Sequence, residues 1–116
     1  MGEFTWSKTE KEIARRAYRA AYERECKTIA DKTQEMAEAV DDPKALWQVH
    51  NYLTEKRKET DAKYDYRYSV LIFVFGRLMR EGWIKEEDIA GLSDEKLERI
   101  RRIAEFSLRR SLDKSS

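Results

Sequence analysis

The chain has one histidine, His50, and one cysteine, Cys26, so metal or nucleophilic chemistry would have to be built around these two side chains. A lone imidazole cannot form a multi-histidine metal site. A Cys26/His50 nucleophilic pair would join two different helical segments with no third group evident to orient the base. Cys26 also falls inside an apolar stripe, where its expected role is packing. Neither a phosphate-binding glycine loop nor a G-x-S-x-G elbow is present, and carboxylates are too abundant for any pair of them to stand out. No catalytic residue, cofactor or metal ligand is expected, and the chain does not read as an enzyme. What the residues do support is recognition. Trp47, His50 and Asn51 share a helical face, and Arg57 follows close to two turns after His50. A tryptophan with an arginine is the composition of a protein-binding hot spot. The alternative is structural, with Trp47 packed on the first helix and Arg57 paired with a carboxylate such as Asp61. Periodicity alone does not separate the two.

The elements that would position these side chains are helical. A single proline and four glycines leave few places for turns, and the rest of the composition favours helix over strand. Ser7 followed by Glu10 is a capping-box signature, so a first helix is expected from Lys8. Along it Tyr18, Tyr22, Cys26, Ile29, Thr33, Met36 and Val40 recur at helical spacing. Asp42 as N-cap and Pro43 at the first helical position start the next helix, antiparallel to the first after so short a turn. From Pro43 to Glu81 only Gly76 is a helix breaker, which predicts one continuous helix of roughly 58 Å. Leu46, Val49 and Leu53 are expected to face the first helix, with an ion pair between Glu59 and Lys63 farther on. A tyrosine-rich hinge (Tyr64, Tyr66, Tyr68) precedes the apolar run Val70 to Phe75, expected to be buried on every side. Gly82 fits a left-handed C-cap. A short helix from Lys85 to Ala90 and a last helix after the Ser93 N-cap complete the chain, the latter turning Leu97, Ile100, Ile103, Ala104 and Leu108 inward.

The 116 residues are expected to form one all-helical domain: two long antiparallel helices forming a stem over about residues 7–65, and two shorter helices completing a head over about 66–112. Met1 to Phe4 reads as a cloning remnant. With 41% of residues charged the core is thin, and an elongated homodimer is the natural remedy for narrow apolar stripes. The net charge of +1 speaks against a dedicated nucleic-acid binder. Between Arg99 and Arg110, however, five arginines face one acid, Glu105, so the C-terminal helix is either a solvated face or a docking surface for nucleic acid or another acidic partner. No apolar run approaches the length needed to cross a membrane, and the expected location is the cytosol.

The stretch from Leu46 to Ile84, LWQVHNYLTEKRKETDAKYDYRYSVLIFVFGRLMREGWI, resembles the fluorescence recovery protein family of cyanobacteria. That signature runs L-W-x-L-H-(D/N)-(F/Y)-L, then K/R-R-x-E-x-D-x-K-Y-D-x-R, then an apolar run ending in F-V-F and a glycine-containing turn. Trp6-Ser7 and Ala21 to Glu25 fit more loosely. The resemblance implies a helical homodimer that binds the photoactivated orange carotenoid protein near phycobilisomes. It accelerates that protein's return to the orange form and its release from the antenna, which ends photoprotective quenching. It also implies a partner-binding patch of Trp47, His50 and Arg57 flanked by Leu46, together with Phe73 of the head and Arg99 where the family has a basic residue. Asn51 stands where a carboxylate is common; an Asp there would pair with the patch arginine, whereas Asn can only hydrogen-bond.

Overall fold

A computed structural model describes residues 4–115, with side chains to residue 106. The first helix, α1 (Lys8–Glu38), opens on the expected capping box: the Glu10 amide donates to Ser7 Oγ at 3.1 Å and the Ser7 amide to Glu10 Oε1 at 3.0 Å. After a tight turn the Ala45 amide donates to Asp42 Oδ1 at 2.7 Å, Pro43 takes the first helical position, and α2 (Pro43–Lys63) runs back along α1.

Continuous helix to Glu81 is not what forms. α2 stops at Lys63, residues 64–70 are irregular, and α3 (Leu71–Arg80) starts afresh. No residue of the break is a strong helix breaker, so tertiary contacts impose it. Lys63 is drawn into a buried site where its Nζ meets Glu25 Oε2 at 2.6 Å and Glu81 Oε1 at 2.7 Å. The Tyr64 hydroxyl donates to Glu25 Oε1 at 2.8 Å, and the Tyr18 hydroxyl donates to the Tyr64 carbonyl at 2.9 Å. Around these bonds Tyr18, Tyr22, Tyr64, Tyr66 and Tyr68 stack edge to face, and Tyr68 continues to Trp6. The expected pair between Glu59 and Lys63 is absent for the same reason: Lys63 is committed elsewhere, and Glu59 takes Lys56 at 3.3 Å.

The break lets the apolar run fold back into a core. Leu71, Ile72, Val74, Phe75 and Leu78 are buried there with Ile13, Ala14, Ala17 and Ala21 from the first half of α1 and with Ile84, Ile89, Leu92 and Ile100. Burial is not complete on every side, because Phe73 remains 55% exposed. Phe4, assigned from the sequence to a remnant, packs against this core; Met1 to Glu3 lie outside the described residues. Gly82 (φ 86°) closes α3 in a Schellman turn, with the Trp83 amide donating to the Leu78 carbonyl at 2.9 Å. The short helix is a single 3-10 turn, Glu86–Ile89, and α4 (Asp94–Ser115) follows with the Lys96 amide donating to Ser93 Oγ at 3.3 Å. Ile100 and Ala104 are buried and Leu97 and Ile103 half-buried, as expected; the Leu108 side chain lies outside the described residues.

Past Glu25 the cover on α1 comes from α2. Cys26, Ile29, Thr33, Met36 and Val40 are therefore half-buried, and Tyr22 is 44% exposed. The side of α2 turned toward α1 is Ala45, Val49, Tyr52, Lys56 and Thr60. Of the expected inward stripe only Val49 belongs to it, since Leu46 and Leu53 are 50% and 42% exposed on the flank. The result is elongated, 54 × 37 × 23 Å, with a radius of gyration of 17.0 Å against about 13 Å for a compact chain of this length. No helix among the described residues is long and apolar enough to cross a membrane.

Candidate protein-recognition site

The helical period sorts α2 into sides. With the α1-facing side taken as the base, Leu46, Leu53, His50 and Arg57 lie along one flank, while Trp47 and Asn51 point away from α1. Trp47 is 60% exposed, and its ring meets the His50 ring edge to face with centroids 6.2 Å apart. Packing of Trp47 on the first helix, the structural alternative, does not occur. Its companion does: Arg57 Nε lies 3.6 Å from Asp61 Oδ2, with both side chains well exposed. An exposed i,i+4 pair of this kind holds loosely and costs little to open.

Two depressions run along this flank. One, about 460 Å³, lies between the helices and is lined by Cys26, Ile29, Ala30, Thr33, Gln34, Ala37 and Leu53. The other, about 290 Å³, is lined by His50, Leu53, Thr54, Arg57 and Lys58. Leu53 borders both, so an apolar groove passes directly into a basic one. Tyr22 lies one helical turn before Cys26, which lines the first depression. Its bond with Cys26 pushes its hydroxyl up, burial and the charge of Asp61 act in the same direction, and Arg57 acts against them.

The site residues expected from the sequence are not all brought together within one chain. Leu46, Trp47, His50, Asn51 and Arg57 share α2, but Trp47 lies sixteen residues, about 24 Å of helix, from Lys63 where α2 meets the core. Phe73 stands on α3 and half-buried Arg99 on α4. The Asn51 side chain makes no hydrogen bond among the described residues, and it is about 120° around the helix from Arg57. The basic character of the C-terminal helix is largely neutralised where it is described. Arg101 pairs with Glu86 and Arg102 with Glu98, each at 2.7 Å; the Arg109 and Arg110 side chains lie outside the described residues.

Sequence reasoning missed the polar joint that orients this flank. Glu25 and Lys63 are 8% and 3% exposed at their side chains, and Glu81, Arg77 and the Trp83 indole N–H, which donates to Glu81 at 3.2 Å, complete it. Burial raises the Glu81 carboxyl, but Lys63 and Arg77 outweigh it and hold the group below its ordinary range. A second missed lock pairs Lys96 Nζ with both Glu10 oxygens at 3.1 Å and with the Thr5 carbonyl at 2.7 Å, under the Phe4 and Trp6 rings. The signals were present in the Ala21 to Glu25 stretch and in Lys63-Tyr64-Asp65, both of which match the family pattern, but helix-surface pairing rules assigned Lys63 a local partner. Among the described residues no cluster of His, Cys, Asp and Glu is arranged to hold a metal.

Residues 6–104 match the family model described as photoprotection regulator fluorescence recovery protein. The chain belongs to the fluorescence recovery protein family. The fluorescence recovery protein of Synechocystis sp. is 37% identical over 102 residues, covering 88% of this chain and 94% of that one. The solved structure of the Fremyella diplosiphon fluorescence recovery protein superposes with a TM-score of 0.83 at 39% identity, covering 87% of this chain and 99% of that one. The Synechocystis structure matches with the same TM-score, 0.83, and the same coverage at 37% identity. The all-helical architecture is thus that of a family of photoprotection regulators.

Proposed function

We propose that this chain binds the photoactivated orange carotenoid protein, accelerates its return to the inactive orange form and promotes its detachment from phycobilisomes, ending photoprotective quenching on the cytosolic side of the thylakoids. The chemistry asked of it is modest. No bond is made or broken and no cofactor is needed, because a thermodynamically downhill conformational change is accelerated by any surface that binds states along the return path more tightly than the starting state. Each 1.4 kcal/mol of such preference is a tenfold gain in rate.

The observation that carries this proposal is Trp47. A large aromatic left 60% exposed by its own fold, beside a histidine, a loosely held arginine and a continuous groove, is an anchor without an intramolecular role. Membership of the family supplies the partner. Leu46, Leu53 and the apolar groove support a symmetric homodimer, in which the same flank of two copies meets about a two-fold axis. Asn51, Phe73 and Arg99 are then partner contacts at the edges, with Phe73 the exposed aromatic of the head.

The test is the dark recovery of illuminated orange carotenoid protein, followed by its absorbance, with and without this chain. Recovery should speed up with the wild-type chain, while Trp47→Ala and Arg57→Leu should remove the effect without altering the helical circular dichroism. Unchanged recovery with the wild-type chain refutes the proposal.

A further inference from the structure

Most cations in the described part of the molecule have a carboxylate at hand, and the exceptions are concentrated on one surface. Lys8, Lys11, Arg15, Arg16 and Arg19 are all exposed, and none of them enters an ion pair among the described residues. At 100° per residue Lys8, Lys11, Arg15 and Arg19 fall within an arc of about 80° on the side of α1 opposite its buried stripe of Ile13, Ala14, Ala17 and Ala21, with Arg16 at its border. They form a ridge about 16 Å long. Of the acids in the same turns, Glu10 is turned inward and bound by Lys96, which leaves Glu12 as the single exposed carboxylate.

The ridge is backed by a rigid wall. Lys11 Nζ sits 5.2 Å from the centre of the Tyr68 ring, the Tyr66 hydroxyl reaches the Lys11 carbonyl at 3.5 Å, and the tyrosines are fixed against Tyr18 and Trp6. The fold therefore holds uncompensated positive charge in place, a costless arrangement only if the charges stay hydrated, and one suited to exchanging water for fixed carboxylates.

We infer that this ridge on α1 docks an acidic surface of another protein, separately from the Trp47 flank on α2. Charge complementarity names the partner's chemistry. Five cations against one exposed acid over three turns suit a carboxylate-rich helix or strand of similar length. Nucleic acid fits less well, because the chain carries 23 acids against 24 basic residues, so a polyanion running beyond the ridge meets repulsion as often as attraction.

The experiment compares the full chain, an Arg15→Glu/Arg19→Glu variant, its milder counterpart Arg15→Gln/Arg19→Gln, and an Arg101→Glu/Arg102→Glu control on α4. The probes are a fluorescent twenty-residue polyglutamate and a twenty-base-pair DNA duplex, each titrated at low and at physiological salt. The expected result is that polyglutamate binds and weakens as salt rises. The glutamate pair should lower its affinity at least tenfold, the glutamine pair by less, and the α4 control should leave it unchanged. Arg15 and Arg19 are exposed and outside any ion pair among the described residues, so the melting curves of their variants should stay close to wild type, while the α4 control loses two exposed pairs, with Glu86 and Glu98, of small worth; the dark-recovery assay reports the Trp47 flank independently. Absence of polyglutamate binding, equal loss in the α4 control, or tighter binding of the DNA duplex overturns the inference.

Discussion

Replacing Lys63 by Met tests whether the polar joint, and not helix propensity, holds the bend between α2 and α3. The methionine keeps most of the side chain's length and removes its charge. Glu81 retains Arg77 at 2.9 Å, so its loss is small. Among the described residues Glu25 retains only the Tyr64 hydroxyl, and its side chain is 8% exposed. Breaking a buried pair from one side costs about 3–5 kcal/mol because the remaining charge stays desolvated. With Glu81 contributing little, a loss of about 3 kcal/mol is expected, which for a chain of this size lowers the melting temperature by roughly 10–15 °C. Adding Glu25→Gln should recover about half, since the amide oxygen still accepts from Tyr64 and no charge is left behind. Urea unfolding followed by circular dichroism measures both, at one protein concentration because assembly adds to apparent stability. A loss below about 1 kcal/mol for Lys63→Met would show that the joint contributes only weakly and that the bend has another cause, and a double variant no more stable than the single one would show that the loss does not come from a stranded Glu25 charge.

Other perturbations test the remaining contacts. Gly76→Ala would place a Cβ 2.4 Å from Ile103 Cγ2 and 2.8 Å from its Cβ where α3 crosses α4, so it should cost about 1–3 kcal/mol in urea unfolding. Burial raises the Glu10 carboxyl, but the Ser7 and Ser93 amides and Lys96 outweigh it and bring its pKa from 4.5 down to about 2. A folded pKa below the unfolded one means stability that is complete above about 4.5 and lost as the pH falls through about 2, on the order of 2 kcal/mol after solvent screening. Glu10→Gln should flatten that acid limb in a pH series of thermal melts. Asp61→Asn should change stability by less than about 0.5 kcal/mol, because its pair with Arg57 is exposed on both sides.

Local signals in the sequence were reliable where a few neighbouring residues decide the outcome. The Ser7/Glu10 box, the Asp42-Pro43 start and the Gly82 terminus each form as their chemistry dictates. Helicity was legible from composition, and the family from the Leu46 to Ile84 motif. Long-range compensation was not. Nothing in the spacing of Lys63 says that it will bond Glu25, 38 residues away, and the break depends on that bond. The α1 stripe was displaced for a related reason: alanines at 14, 17 and 21 are the most buried residues of the helix, and small residues at close contacts carry a weaker hydrophobic signal than the tyrosines beside them. For the candidate site, the residue types were evident while their sides were not. Leu46 and Leu53 read as core because they are leucines at helical spacing, yet Val49 and Tyr52 take the inward positions.

That displacement bears on why the flank exists at all. An aromatic side chain has some 150–250 Å² to bury, and at about 25 cal/mol per Å² the 60% of Trp47 left outside amounts to roughly 2–4 kcal/mol not used in folding the single chain. Leu46 and Leu53 add to it. A chain with so thin a core could recover that energy by a rotation of α2 that brings the leucines under α1, but the joint forbids it. Lys63 must point at Glu25 and Glu81, and Thr60 one turn earlier is buried with it, so the helical phase of α2 is set at its C-terminal end and carried rigidly to Trp47. The buried charges thus cost little specificity elsewhere and determine which residues of α2 face outward. Under the proposed function, stability and partner binding are coupled through one helix: a change at Lys63 should loosen the phase and weaken partner binding, whereas a change at Trp47 should weaken binding alone.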